Sequence, residues 1–216
     1  MSTRAGDYRN AVEHLPEGAT LVIRDATWED YERVLEDLSD RPRLRVTYDH
    51  GTLEIMTPLA EHEKAGRFID DLVRAWGDAR GITVEKLGST TWKRRRLARG
   101  TEPDACYYVA SAARVIGKTN IDLESDPPPD VVVEIDITNE SLSKFSLYAA
   151  FGVPEIWRYD GKTAHFYELV GDTYRAQVES RFLSGLTPGI LIEALQESKT
   201  AGQTAALNAF RRRISG

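Results

Sequence analysis

The chain has 216 residues, 41% apolar and 29% charged, a balance that excludes a disordered protein and allows one domain with a sizeable core and a small extension. Its formal net charge of −6 excludes a protein-wide basic field, so a polyanion would have to be met by a local patch, either Lys93–Arg96 or Arg211–Arg213. The single cysteine, Cys106, rules out an internal disulfide framework and a CxxC zinc site. No apolar run approaches the ~18 residues of a membrane span. The start "MSTRAGDYRN" lacks a secretory segment, so a cytoplasmic protein is expected.

In chain order, "TLVIRD" reads as a short strand and "TWEDYERVLEDL" as a helix capped by Thr27, with acidic residues in its first turn. "RLRVTYD" and "TLEIMT" alternate on either side of His50-Gly51, a hairpin signal. Residues 1–57 therefore read as a lead-in layer. A main fold over 58–196 opens with a long helix, in which Ala65, Phe68, Ile69, Leu72, Val73 and Trp76 form one apolar stripe that ends at Gly81. Strands follow at "ITVEKL", "TTWKRRR", "DACYYVA" and, after three prolines, "DVVVEIDIT". A helix "SLSKFSLYAAF" ends at Gly152, two strands flank Asp160-Gly161, and "TYRAQVE" and a helix near 189–196 complete the pattern. Residues 197–216 read as a polar, partly helical tail. The order predicts a mixed α/β (α+β) core.

The stretch "PPPDVVVEIDIT" carries the chemistry. Strand alternation sends Val132, Glu134 and Asp136 to one face and Val131, Val133 and Ile135 to the other, which should pack under a helix. Two acids at a strand end are as readily a solvated terminus as a site. Asp104, in "EPDACYY", adds a second acidic strand start. Two carboxylates on neighbouring strands suffice for Mg²⁺, which keeps several waters, and such a cation can activate water at a phosphodiester. Lys144, on the following helix, could lean back to supply positive charge. On the first long helix Glu61 and His62 straddle the apolar stripe. A macrodipole role for Glu61 and a structural hydrogen bond for His62 are the alternatives to a catalytic role.

Together, "EIMTP", "EHE", "GSTTWKR", "EPDACYY", "PPPDVVVEIDIT" and "SKFSLYAAFGVPEIWRYDG" resemble the Uma family of restriction endonucleases, which are similar to the PD-(D/E)XK nucleases. The resemblance covers roughly residues 20–195 and implies a mixed sheet flanked by helices. It implies a Mg²⁺- or Mn²⁺-dependent endonuclease acting on double-stranded DNA. Asp104 and Glu134 would hold the metal and Lys144 would act at the attacking water, with Asp136, Glu61 and His62 around them. Asp136 stands where the superfamily has lysine, either as a further acid or base or as the mark of a drifted site. Lys93 and Arg94 would contact phosphate, or else only protect a sheet edge. Cutting both strands would favour a homodimer. The competing reading is an inactive nuclease fold that binds nucleic acid or another protein.

Overall fold

The computed structural model describes residues 5–39, 44–137 and 144–214. Its elements in chain order begin α1 (Ala5–Glu13), β1 (Thr20–Ile23), α2 (Trp28–Asp37), β2 (Arg45–Asp49), β3 (Thr52–Met56) and α3 (Ala60–Arg80). Then come β4 (Glu85–Lys86), β5 (Trp92–Arg94), β6 (Arg99–Thr101), β7 (Ala105–Tyr108) and β8 (Val131–Ile135). The last are α4 (Phe145–Phe151), β9 (Glu155–Tyr159), β10 (Ala164–Val170), β11 (Thr173–Gln177), α5 (Pro188–Ala201) and α6 (Gln203–Ile214). The chain divides into two compact units, one of residues 1–60 and 91–102, the other of 61–90 and 103–216.

The first unit is an antiparallel sheet in the order β1-β3-β2-β6-β5 with α1 and α2. The lead-in expected over residues 1–57 thus shares its sheet with residues 92–101. Thr27 caps α2 reciprocally with Asp30, as the acidic first turn implied. Asp49 pairs with Thr52, so His50 and Gly51 form a two-residue turn. Both have positive φ, 44° and 90°, the geometry that matches the twist of a hairpin. The core gathers Tyr8, Val12, Tyr31, Val34, Val46, Tyr48, Leu53 and Ile55. Helix α1 escaped sequence reading because Tyr8 and Val12 alone mark its apolar face. The strand expected to run through Arg96 stops at Arg94: a 3₁₀ turn over Arg95–Leu97 and a left-handed Ala98 (φ 48°) reverse the chain into β6.

The second unit is a six-stranded sheet, β11-β10-β9-β8-β7-β4, antiparallel except for β8 and β9, which α4 joins as a parallel crossover. Val131, Val133 and Ile135 face a cluster with Phe68, Ile69, Leu72, Val73 and Trp76 of α3, as alternation predicted, together with residues of α5 and α6. The opposite face receives α4: Phe145 packs edge-on against Tyr167 and Tyr174, 4.9 and 5.2 Å between ring centres. Helix α6 corrects the expectation of a polar tail. Ala206 and Phe210 are buried, and the Phe210 ring lies 6.1 Å from that of Trp76. Asp130 explains the acid that ends the proline run. Its Oδ2 accepts from the Val109 and Ser111 amides at 2.7 and 2.9 Å, and its Oδ1 from the Ser111 hydroxyl at 2.9 Å.

Glu155 opens β9 with no exposed surface. Burial pushes its carboxyl above the usual range, against the pull of Trp157 Nε1, the Ser180 hydroxyl and the Arg181 amide (2.8 Å), which donate to it. A raised folded pKa means the native state binds the proton better than the unfolded chain. This contribution to stability is therefore complete below the ordinary carboxylate pKa and is lost as pH climbs through the raised value. Glutamine here has one acceptor oxygen for several donors and turns an amide N–H toward another N–H. Glu155→Gln is expected to cost about 1–3 kcal/mol in denaturant melts and to flatten this part of the pH dependence.

Candidate active site

The site grows from the pairing of three strands in the second unit. Ala105 pairs with Val133, so the next step of that antiparallel ladder sets Asp104 beside Glu134. The Asp104 amide donates to Val133 O at 3.0 Å, and its Oδ2 accepts from the Ile135 amide at 2.8 Å, locking the carboxylate to the end of β8. Across the parallel ladder Glu134 pairs with Arg158. Asp104, Glu134 and Arg158 thus form a row across β7, β8 and β9 on the face that α4 covers. Lys144 and Tyr148 descend from α4 onto that row. The Lys144 ammonium donates to Glu134 Oε2 at 2.7 Å, and the Tyr148 hydroxyl donates to Glu134 Oε1.

Glu134 is 6% exposed. Burial pushes its pKa up to about 7; Lys144 pulls it back, and Asp104 and Asp136 push it further up. Lys144 responds in the complementary way. Burial acts to lower its pKa, but the nearby carboxylates, Glu134 first, prevail and raise it. The lysine therefore holds its proton firmly.

The other expected site residues have identifiable partners. Asp136 continues the β8 ladder, its amide donating to Tyr159 O at 2.8 Å. Its Oδ2 accepts from two nitrogens of Arg158, Nε at 2.7 Å and Nη2 at 2.6 Å. Glu61 Oε1 accepts from Lys199 Nζ at 2.7 Å, beside a groove lined by Lys64, Ser198 and Gln203. His62 is 2% exposed, and neither ring nitrogen has a hydrogen-bond partner among the described residues. It lies one helical turn before Gly66, whose Cα side abuts Ile135 Cδ1 and the Asp104 carbonyl. Lys93 and Arg94 belong to the first unit. Lys93 Nζ approaches Glu32 at 3.4 Å, and Arg95 contacts Glu29 and Glu32. Residues 138–143, where β8 was expected to end and α4 to begin, lie outside the described residues.

Arg158 and Tyr148 were not picked out from the sequence as site residues. Tyr148 stands four residues after Lys144, a spacing that puts both on one helix face. That was the available signal. Arg158 depends on the parallel register of β8 and β9, which no local pattern encodes.

Asp104 and Glu134 are the two carboxylates here that could hold a divalent cation, since Mg²⁺ keeps most of its waters and takes only one or two carboxylates from a protein. Among the described residues, no group of three or more His, Cys, Asp or Glu side chains gathers as a metal site, here or elsewhere. No described helix is long and apolar enough to cross a membrane.

Comparison with solved structures finds a likeness to a "putative nuclease belonging to DUF820" from Anabaena variabilis ATCC 29413. The two share 15% identity over 69% of this chain and 90% of that one, with a TM-score of 0.47. No curated protein matches the chain. The family model described as "Uma2: Putative restriction endonuclease" matches residues 28–197, a span that includes Asp104, Glu134 and Lys144, and the chain belongs to that family.

Proposed function

We propose that the chain hydrolyses phosphodiester bonds of DNA at Asp104, Glu134 and Lys144, with Mg²⁺ or Mn²⁺ held by the two carboxylates. The observation that carries this reading is the contact of Lys144 with Glu134 beside Asp104, an ammonium and two carboxylates brought to one strand end by β7, β8 and α4. The bound cation would lower the pKa of a coordinated water and neutralise charge on the phosphate. Asp104, fixed by the Ile135 amide, would keep its carboxylate aimed at that position. Lys144 would donate hydrogen bonds to the attacking water or to the phosphate oxygen where charge builds up. Asp136 would act from the periphery, its charge compensated by Arg158. Glu61 would lie on the margin, and His62, buried with neither ring nitrogen hydrogen-bonded among the described residues, would bind an ordered water near the Asp104 end of the sheet. Lys93 and Arg94 would add phosphate contacts, and a homodimer in the cytoplasm would present two sites to a duplex.

The test is to incubate supercoiled plasmid with the protein and Mn²⁺ or Mg²⁺. Wild type should nick it, and Asp104→Ala should not. Lys144→Met should retain Mn²⁺ binding by calorimetry while cutting about 10²–10³-fold more slowly, the range for loss of one donor to developing charge. Intact plasmid with every metal, together with no heat of Mn²⁺ binding, would rule this reading out.

A further inference from the structure

We infer that Tyr148 is a positioning residue that fixes the carboxylate plane of Glu134 for the metal; the inference rests on the nuclease reading above. Tyr148 is fully buried, and its hydroxyl donates to Glu134 Oε1 while Lys144 holds Oε2. The two donors stand four residues apart, Lys144 at the N-cap of α4 and Tyr148 within it, and each takes a different oxygen. An ionised carboxylate offers about four lone-pair sites. With one on each oxygen engaged, the group cannot rotate about its last bond without breaking a hydrogen bond. The lone pairs that remain have a set direction, which a cation demanding near-octahedral geometry requires.

The helix backbone is closed on both sides of Tyr148: its amide donates to Lys144 O at 2.9 Å, and its carbonyl accepts from the Val153 amide at 3.0 Å just past the helix end. Phe145, on the first turn of α4, is packed against Tyr167 and Tyr174. The phenol oxygen is therefore placed by a braced helix. Lys144 alone could not serve in its stead, because an ammonium on a flexible stem fixes a point rather than a plane. A hydroxyl that merely satisfied itself in a core would have the same burial. What separates the two roles is whether its removal changes metal affinity.

The experiment compares wild type, Tyr148→Phe, Leu147→Ala and Glu134→Ala. It reads Mn²⁺ affinity by calorimetry and the Mn²⁺ concentration giving half-maximal plasmid nicking, well below each melting temperature. Tyr148→Phe keeps the ring and removes only the hydroxyl. Its Mn²⁺ affinity should fall about 10-fold or more, within the span typical of residues that orient a ligand. Leu147, buried on the same helix, is the packing control: Leu147→Ala should lower stability and leave Mn²⁺ affinity unchanged. A measurement on wild type needs no variant to fold. Adding Mn²⁺ should change the tyrosine absorption band, and the change should be missing in Glu134→Ala. Unchanged Mn²⁺ affinity in Tyr148→Phe, or a tyrosine band indifferent to Mn²⁺ in a wild type that binds it, overturns the positioning role and leaves the nuclease reading standing. A wild type that neither binds Mn²⁺ nor nicks DNA overturns both.

Discussion

Glu134→Gln is expected to reduce plasmid cleavage at least 10³-fold and to abolish stabilisation by Mn²⁺, while leaving the metal-free protein at least as stable as wild type at pH 8. The loss of activity follows from charge. Glutamine keeps the shape of the side chain but removes the anionic ligand, and removal of a single partner of developing charge already costs 10²–10³-fold. The stability half of the prediction follows from the raised pKa. In wild type, burial pushes the Glu134 pKa up to about 7, so at pH 8 the fold works against its ionised form. The folded pKa is raised, so this stability is present below the unfolded pKa and lost as pH rises from about 4.5 through about 7. Glutamine does not titrate and avoids the loss. Part of the gain is returned because the Lys144 ammonium no longer has its nearest carboxylate. Chemical melts in EDTA across pH 5 to 8 provide the check: the stability of the variant relative to wild type should improve as pH rises. A variant markedly less stable than wild type at pH 8 would mean that Lys144 and Tyr148 hold Glu134 more favourably than its burial opposes it.

The site was legible in the sequence to the extent that local rules place side chains. Alternation along "DVVVEID" is a property of any strand, so the separation of Glu134 and Val132 from Val131, Val133 and Ile135 could be read directly, and the structure shows it. The His50-Gly51 turn was legible for the same reason, since two residues with positive φ have few solutions between strands. Long-range pairing was not legible. Nothing in "EIWRYD" says that Arg158 pairs with Glu134 and clasps Asp136, because that depends on the register of a parallel ladder closed across α4. Asp136 stands where the resemblance implies lysine, and its partner Arg158 comes from outside every local window. The same holds for Phe210. A lone aromatic in a polar stretch becomes a core residue only when α6 folds back toward Trp76. Residues 92–101 show a third limit: strand signals mark a strand, but they do not say which sheet it joins.

Gly100→Ala should be the most damaging single-methyl change in the first unit. Gly100 lies opposite Tyr48 in the β2–β6 ladder, and the Tyr31 ring stacks on Tyr48 with centres 5.3 Å apart. The end of the Tyr31 ring therefore rests on the bare Cα of Gly100. A Cβ there would stand 2.1 Å from the Tyr31 hydroxyl oxygen, 2.5 Å from Cζ and 2.7 Å from Cε1, distances no packing tolerates. Tyr31 cannot easily swing aside, since it is fully buried and also meets Trp28 edge-on at 5.1 Å. Overpacking of this kind commonly costs 1–3 kcal/mol, and with three atoms inside contact distance a loss of about 3 kcal/mol or more is expected. The buried Tyr31 hydroxyl has no hydrogen-bond partner among the described residues, so it contributes little to offset its own desolvation. Tyr31→Phe alone should therefore leave stability within about 1 kcal/mol of wild type. Combined with Gly100→Ala it should recover only part of the loss, because the ring carbons at 2.5 and 2.7 Å remain in the way. Denaturant melts of the four proteins close the cycle. Full recovery in the double variant would show that the hydroxyl alone carries the clash, and no recovery at all would show that the backbone of β6 moves instead.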